Sequence, residues 1–138
     1  MATVINYGAT VVTPITNGVN IPIPVQGGQQ IAAVSVFIDP ANPASFSNRV
    51  EIKGSIGVEA LEGTPEILVR ILRAGKEIYY GLVELENVFN DFDIINVLMV
   101  EGAPLGVQNY QLVVQNLDRF SRARVIGPIV FTATAIGG

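Results

Sequence analysis

RVEIKGSIGVEALEGTPEILVRILRAGKEIYYGLVELE, residues 49–86, decides the fold. From Val50 to Ala60 the apolar residues Val50, Ile52, Ile56, Val58 and Ala60 share one side with Gly54, and Glu51, Lys53, Ser55, Gly57 and Glu59 share the other. A period of two is the mark of a strand with one buried and one wet face. Glu66 to Arg73 alternates again through Ile67, Val69 and Ile71, Ala74-Gly75 supplies a tight turn, and Lys76 to Glu86 runs back as the second arm of a hairpin. A helix is the alternative for residues 65–73. Thr64-Pro65-Glu66 fits a capped helix start, Gly75 a stop, and Ile67, Leu68, Ile71 and Leu72 an apolar stripe. The strand reading is preferred because Val69 and Ile71 are β-branched and because Lys76–Tyr80 otherwise lacks a hairpin partner.

Working outward, Thr3–Thr13 is apolar and β-branched, which favours an extended chain. It reads either as an ordinary first strand or as an N-terminal arm over residues 1–13, a candidate donor strand for a neighbouring subunit. Residues 14–138 form the remaining domain. In VNIPIPVQ, Val19–Gln26, both prolines fall on the same side, so this is an edge or bulged strand. Gln30–Ile38 is a strand stopped by Asp39-Pro40, and a loop runs to Asn48. Asn87–Asp93 reads as a loop, Ile94–Val100 as a short strand and Tyr110–Leu117 as an alternating one. Val125–Ile136 is apolar on both faces, as expected of a central strand or one at a subunit interface. About eight strands with at most one helix make an all-β sandwich or barrel.

The chain has 138 residues, 49% of them hydrophobic and only 14% charged. Either the core is unusually large or other subunits cover part of the surface; the second is preferred, because surface-to-volume scaling limits how much one small domain hides. Copies of the chain are therefore expected to cover part of it. The net charge of −4 argues against nucleic acid. There is no cysteine and no histidine, which removes disulfides, thiolate chemistry and the usual neutral-pH general base. No apolar run has the length of a membrane helix. The first ten residues show no charged n-region followed by an apolar core, so synthesis without a signal peptide is expected.

Several groups are candidates for chemistry. Asn87, Asn90, Asp91 and Asp93 could gather around calcium but lack the EF-hand spacing. Glu84 and Glu86 are an acid pair without a cleft. Arg119, Arg122 and Arg124 form the one basic cluster, expected to lie over apolar surface or to pair with acids of a neighbouring subunit. The five serines have no histidine to activate them. Tyr79, Tyr80, Asp91 and Asp93 are the candidates if the chain is a carbohydrate- or protein-binding module. No catalytic residue, cofactor or metal is expected, and the chain is not read as an enzyme.

RVEIKGSIGVEALEGTPEILVRILRAGKEIYYG resembles the central hairpin of TNF/C1q-like jelly rolls on Bacillus-type spores. YQLVVQNLDRFSRARVIGPIVFTATAI resembles their last two strands. That group includes exosporium protein C, endospore appendage subunits and the C-terminal domain of collagen-like exosporium glycoproteins. The resemblance implies a jelly-roll β-sandwich made in the mother-cell cytoplasm and placed at the spore surface. It also implies a homotrimer, with stacking into a fibre or layer by non-covalent strand pairing and contacts to other spore-surface proteins. This chain departs from the pattern in having neither a collagen-like region nor cysteines for cross-linking. The residues expected at the subunit interface are Val4, Ile5, Tyr7, Val11, Val12, Tyr110, Ile129 and Phe131.

Overall fold

The structure is a computed structural model that describes residues 2–85 and 92–138. Its strands are β1 (Thr3–Thr13), β2 (Ile21–Pro22), β3 (Gln29–Ile38), β4 (Arg49–Glu62), β5 (Glu66–Arg73), β6 (Lys76–Glu84), β7 (Phe92–Glu101), β8 (Gly106–Asn116) and β9 (Arg122–Gly137), with a 3-10 helix, Pro43–Ser47, before β4. The region open to a helical reading is strand β5. Ala74 and Gly75 both take positive φ, 52° and 80°, so the turn carries the twist a two-residue hairpin needs.

The strands form two antiparallel sheets in the orders β1-β9-β4-β7 and β3-β8-β5-β6, with β2 alongside β9. Setting β2 aside, the eight longer strands fall first-eighth-third-sixth in one sheet and second-seventh-fourth-fifth in the other. Two such sheets packed face to face are an all-β sandwich. The core lies between them and includes the fully buried Ile52, Ile56, Ile71, Tyr110, Leu112, Ile129 and Phe131.

Residues 1–13 were a candidate arm. In the chain itself, β1 pairs with β9 from Thr3↔Gly137 to Thr13↔Ile129. It also lies across β3. The Phe37 N–H donates to Asn6 Oδ1 at 2.9 Å, and Thr10 Oγ1 donates to the Ala33 carbonyl at 2.6 Å. At Gly8 a Cβ would sit 2.2 Å from the Ser35 carbonyl oxygen, so the close crossing of two backbones requires glycine. The first strand therefore closes one side of the sandwich.

The expected strand over Val19–Gln26 shrinks to two residues. The Val19 and Ile23 N–H groups donate to Ile126 and Ala123 of β9, so the donors of the alternating residues face the sheet and the prolines face away. The edge reading holds, but prolines at every second position leave only a short ladder. At β7 the correction runs the other way: Phe92 and Asp93 are strand, not loop. Strand β9 is central, as expected. Its other face is covered only in part, however: Ile126, outside the core cluster, is buried, while Val130, Thr132, Thr134 and Ile136 are partly exposed.

Candidate interaction surfaces

The outer face of the β1-β9-β4-β7 sheet is built by register. Val11, Val130, Ser55 and Asn96 form one row across the four strands; Ala9, Thr132, Lys53 and Leu98 form the next; Tyr7, Thr134, Glu51 and Val100 a third. Apolar residues collect on the two outer strands and charge on the inner β4, where Arg49, Glu51 and Lys53 alternate in sign. Tyr7 is 58% exposed and Leu98 61%. Val4, Val11, Ile94 and Val100 are also exposed.

The eight residues expected at an interface divide in two. Val4, Tyr7, Val11 and Val12 are exposed, and Ile5 is partly buried against the core. Tyr110, Ile129 and Phe131 are a correction: each is fully buried between the two sheets of one chain and has no surface left for a partner. Alternation identified their buried side correctly. It could not say whether the cover came from the same chain or another.

The sheets are also tied by a polar clasp. Arg73 at the end of β5 forms an ion pair with Glu101 at the end of β7. Tyr110 of β8 donates its hydroxyl to Glu101 Oε2 at 2.9 Å. Burial, and then the bond to Glu101, pushes the Tyr110 phenol above its usual value. Its bond to Glu101, ahead of the opposing effect of burial, raises Arg73. This unit joins the end of β7 in one sheet to β5 and β8 in the other.

Each arginine of the cluster has a contact within the chain. Arg124 bonds Glu59 at 2.7–2.8 Å, Arg122 approaches Glu62 at 3.4 Å, and Arg119 lies 4.9 Å from the Phe120 ring centre. Beside it is an apolar depression of about 320 Å³ lined in part by Pro22, Ile23, Val25 and Leu61. Ser121, buried, accepts at Oγ from Asn116 Nδ2 at 3.1 Å and donates to the Asp118 carbonyl at 3.0 Å. These bonds pin a loop.

Of the calcium candidates, Asn87, Asn90 and Asp91 lie outside the described residues, as does Glu86 of the acid pair. Asp93 accepts from the Ile94 N–H at 2.9 Å. Among the described residues no three acidic side chains converge as a metal site. Tyr79 packs toward the core while Tyr80 is 67% exposed, and both line one shallow depression with Glu77 and Ile78. What sequence reasoning missed is the uncovered face itself: Ile94, Leu98 and Val100 were read as an undivided apolar run, and only register shows which residues point outward.

No protein-family model matches the chain, and no curated protein matches it. Among solved structures it is similar to dimeric latent PorU from Porphyromonas gingivalis, at 8% identity and a TM-score of 0.46. That match covers 96% of this chain and 13% of the other, so the chain spans a small part of that protein's length.

Proposed function

We propose that this chain is a non-catalytic, self-assembling structural protein whose copies meet through the outer face of the β1-β9-β4-β7 sheet. The observation that carries the reading is the pair of exposed apolar bands on that face, Val4, Tyr7 and Val11 on one side and Ile94, Leu98 and Val100 on the other. Burying one such side chain contributes about 1.5–3 kcal/mol. The alternating charges of Arg49, Glu51 and Lys53 between the bands restrict how a second copy can register. The lack of histidine and cysteine supports a non-catalytic role.

The nested strand order supports the jelly-roll form of the sandwich. A threefold ring, stacking into a fibre or layer, and a place at the spore surface are supported by the sequence resemblance and belong to the same proposal. Sedimentation across a concentration series tests assembly: species heavier than the monomer are expected, and single chains at every concentration would end the reading. Antibody labelling of intact spores tests location, with label confined to the spore interior as the adverse result.

A further inference from the structure

The connection between β1 and β2 carries the dipeptide Asn17-Gly18, and only Asn17 among the asparagines of the chain precedes a glycine. An asparagine amide carbon lies within ring-closing reach of the backbone nitrogen of the next residue. A side chain on that residue crowds the approach, and glycine leaves it open.

The structure separates Asn17 further from the rest. The side-chain carbonyls of Asn6, Asn42, Asn96 and Asn109 each accept a hydrogen bond. Asn48 and Asn116 are bonded through both ends of the amide. Asn20 precedes the β-branched Ile21, which is already paired with Val125. Asn87 and Asn90 lie outside the described residues and precede a valine and an aspartate. Asn17 is exposed, and among the described residues neither its amide nor the Gly18 N–H has a hydrogen-bond partner. Its φ of 62° lies in the left-handed region, which asparagine tolerates better than most side chains.

We infer that Asn17 is a site of spontaneous deamidation, and that its isoaspartate product loosens the β1–β2 connection. The Gly18 nitrogen attacks Asn17 Cγ. The N–Cγ bond forms, the Cγ–Nδ2 bond breaks, and the Gly18 proton leaves with Nδ2 as ammonia. Water then opens the resulting cyclic imide at one of its two carbonyls. Opening at Cγ gives aspartate with the main chain unchanged. Opening at the main-chain carbonyl gives isoaspartate, whose chain runs on through Cβ and Cγ and is one carbon longer. Both products add one negative charge. The reacting groups belong to adjacent residues, so their encounter costs little entropy.

The added carbon matters because the connection is closely seated. A Cβ on Gly18 would fall 1.9 Å from Thr13 Oγ1, and one on Gly127 of β9 would fall 2.6 Å from the Ile15 carbonyl oxygen. Directly after it, the Val19 N–H donates to the Ile126 carbonyl at 3.2 Å. A longer main chain between Thr13 and Val19 displaces that bond, and aspartate leaves it in place.

Ageing the full native chain at mildly alkaline pH, followed by isoelectric focusing and peptide fragmentation, tests the inference. An acidic species is expected, with its mass change at Asn17, formed at least about tenfold faster than at any other asparagine. Asn17→Gly keeps the left-handed turn and should lose that species. Asn17→Asp should start at the acidic position and gain no further charge over the same period. Amide exchange at Val19 should be faster in the isoaspartate fraction than in the aspartate fraction. A native chain that stays unmodified while the urea-unfolded chain reacts at Asn17 would overturn the inference, since the fold would then shield the pair. An acidic species that persists in Asn17→Gly would overturn the site, and equal Val19 exchange in the two fractions would overturn its effect on the connection. Charge and mass are read on separated chains, so the result does not depend on whether copies assemble.

Discussion

Glu101 accepts from two donors at once, and most of their surface is withdrawn from water. The side chains of Arg73 and Glu101 are 20% and 16% exposed, and Tyr110 is fully buried. Hydrogen bonds to a charged group contribute about 1.5–3 kcal/mol, and an orphaned buried partner costs its desolvation. Glu101→Gln is therefore expected to lower the unfolding free energy by about 1.5–3 kcal/mol in urea titration. Tyr110→Phe removes one donor and is expected to cost about 1–2 kcal/mol. The phenol adds a pH signature. Its folded pKa is raised above the unfolded value of about 10, so the protonated form is favoured in the folded chain. That stabilisation is complete below pH about 10 and is lost as pH rises beyond it. Wild type should lose stability above that point with an added slope approaching about 1.4 kcal/mol per pH unit, and Tyr110→Phe should lack it. Equal slopes in the two proteins would show that the phenol does not titrate as its burial dictates.

At the scale of elements, β1 is held by β9 on one side and by side-chain bonds to β3 on the other. Gly8→Ala forces a methyl group toward the Ser35 carbonyl and is expected to cost about 1–3 kcal/mol, as overpacking does. Faster amide exchange at Phe37, whose N–H bonds Asn6, should accompany it; unchanged exchange there would mean that β1 does not close this side. How much of this was legible follows from what each element depends on. β4 and β8 were legible from side-chain period; β5 also fitted a helical stripe, and its β-branched residues and the return strand after Ala74-Gly75 decided it. β2 was read too long because alternation was counted without the donors its prolines lack. β7 was read too short because aromatic and acidic residues at its start look like loop. The role of β1 was undecided in the sequence, since an extended apolar segment looks the same whether its partner is β9 of its own chain or of another.

At the scale of the whole molecule, the low charge content has two sources that the sequence could not separate. One is the core, which takes in Tyr110, Ile129 and Phe131. The other is the outer face of the β1-β9-β4-β7 sheet, where apolar side chains remain in water. Four strands about 4.8 Å apart, in common register over roughly eight residues, give this face about 500 Å². Stable interfaces bury about 800 Å² per partner. Under the proposed self-assembly, the face alone would give a concentration-dependent association, and a durable assembly would need a second contact. Leu98 tests the face because it is exposed on an edge strand and contributes nothing to the core. Leu98→Lys should leave the chain folded, with thermal unfolding at low concentration shifted little. It should weaken association about 10- to 100-fold, as expected when an apolar side chain is lost and a charge must be desolvated. Sedimentation equilibrium over the same concentrations as wild type reads this directly. An unchanged mass distribution would mean that the exposed bands of this sheet meet nothing, and the surplus of apolar residues would then need another cover.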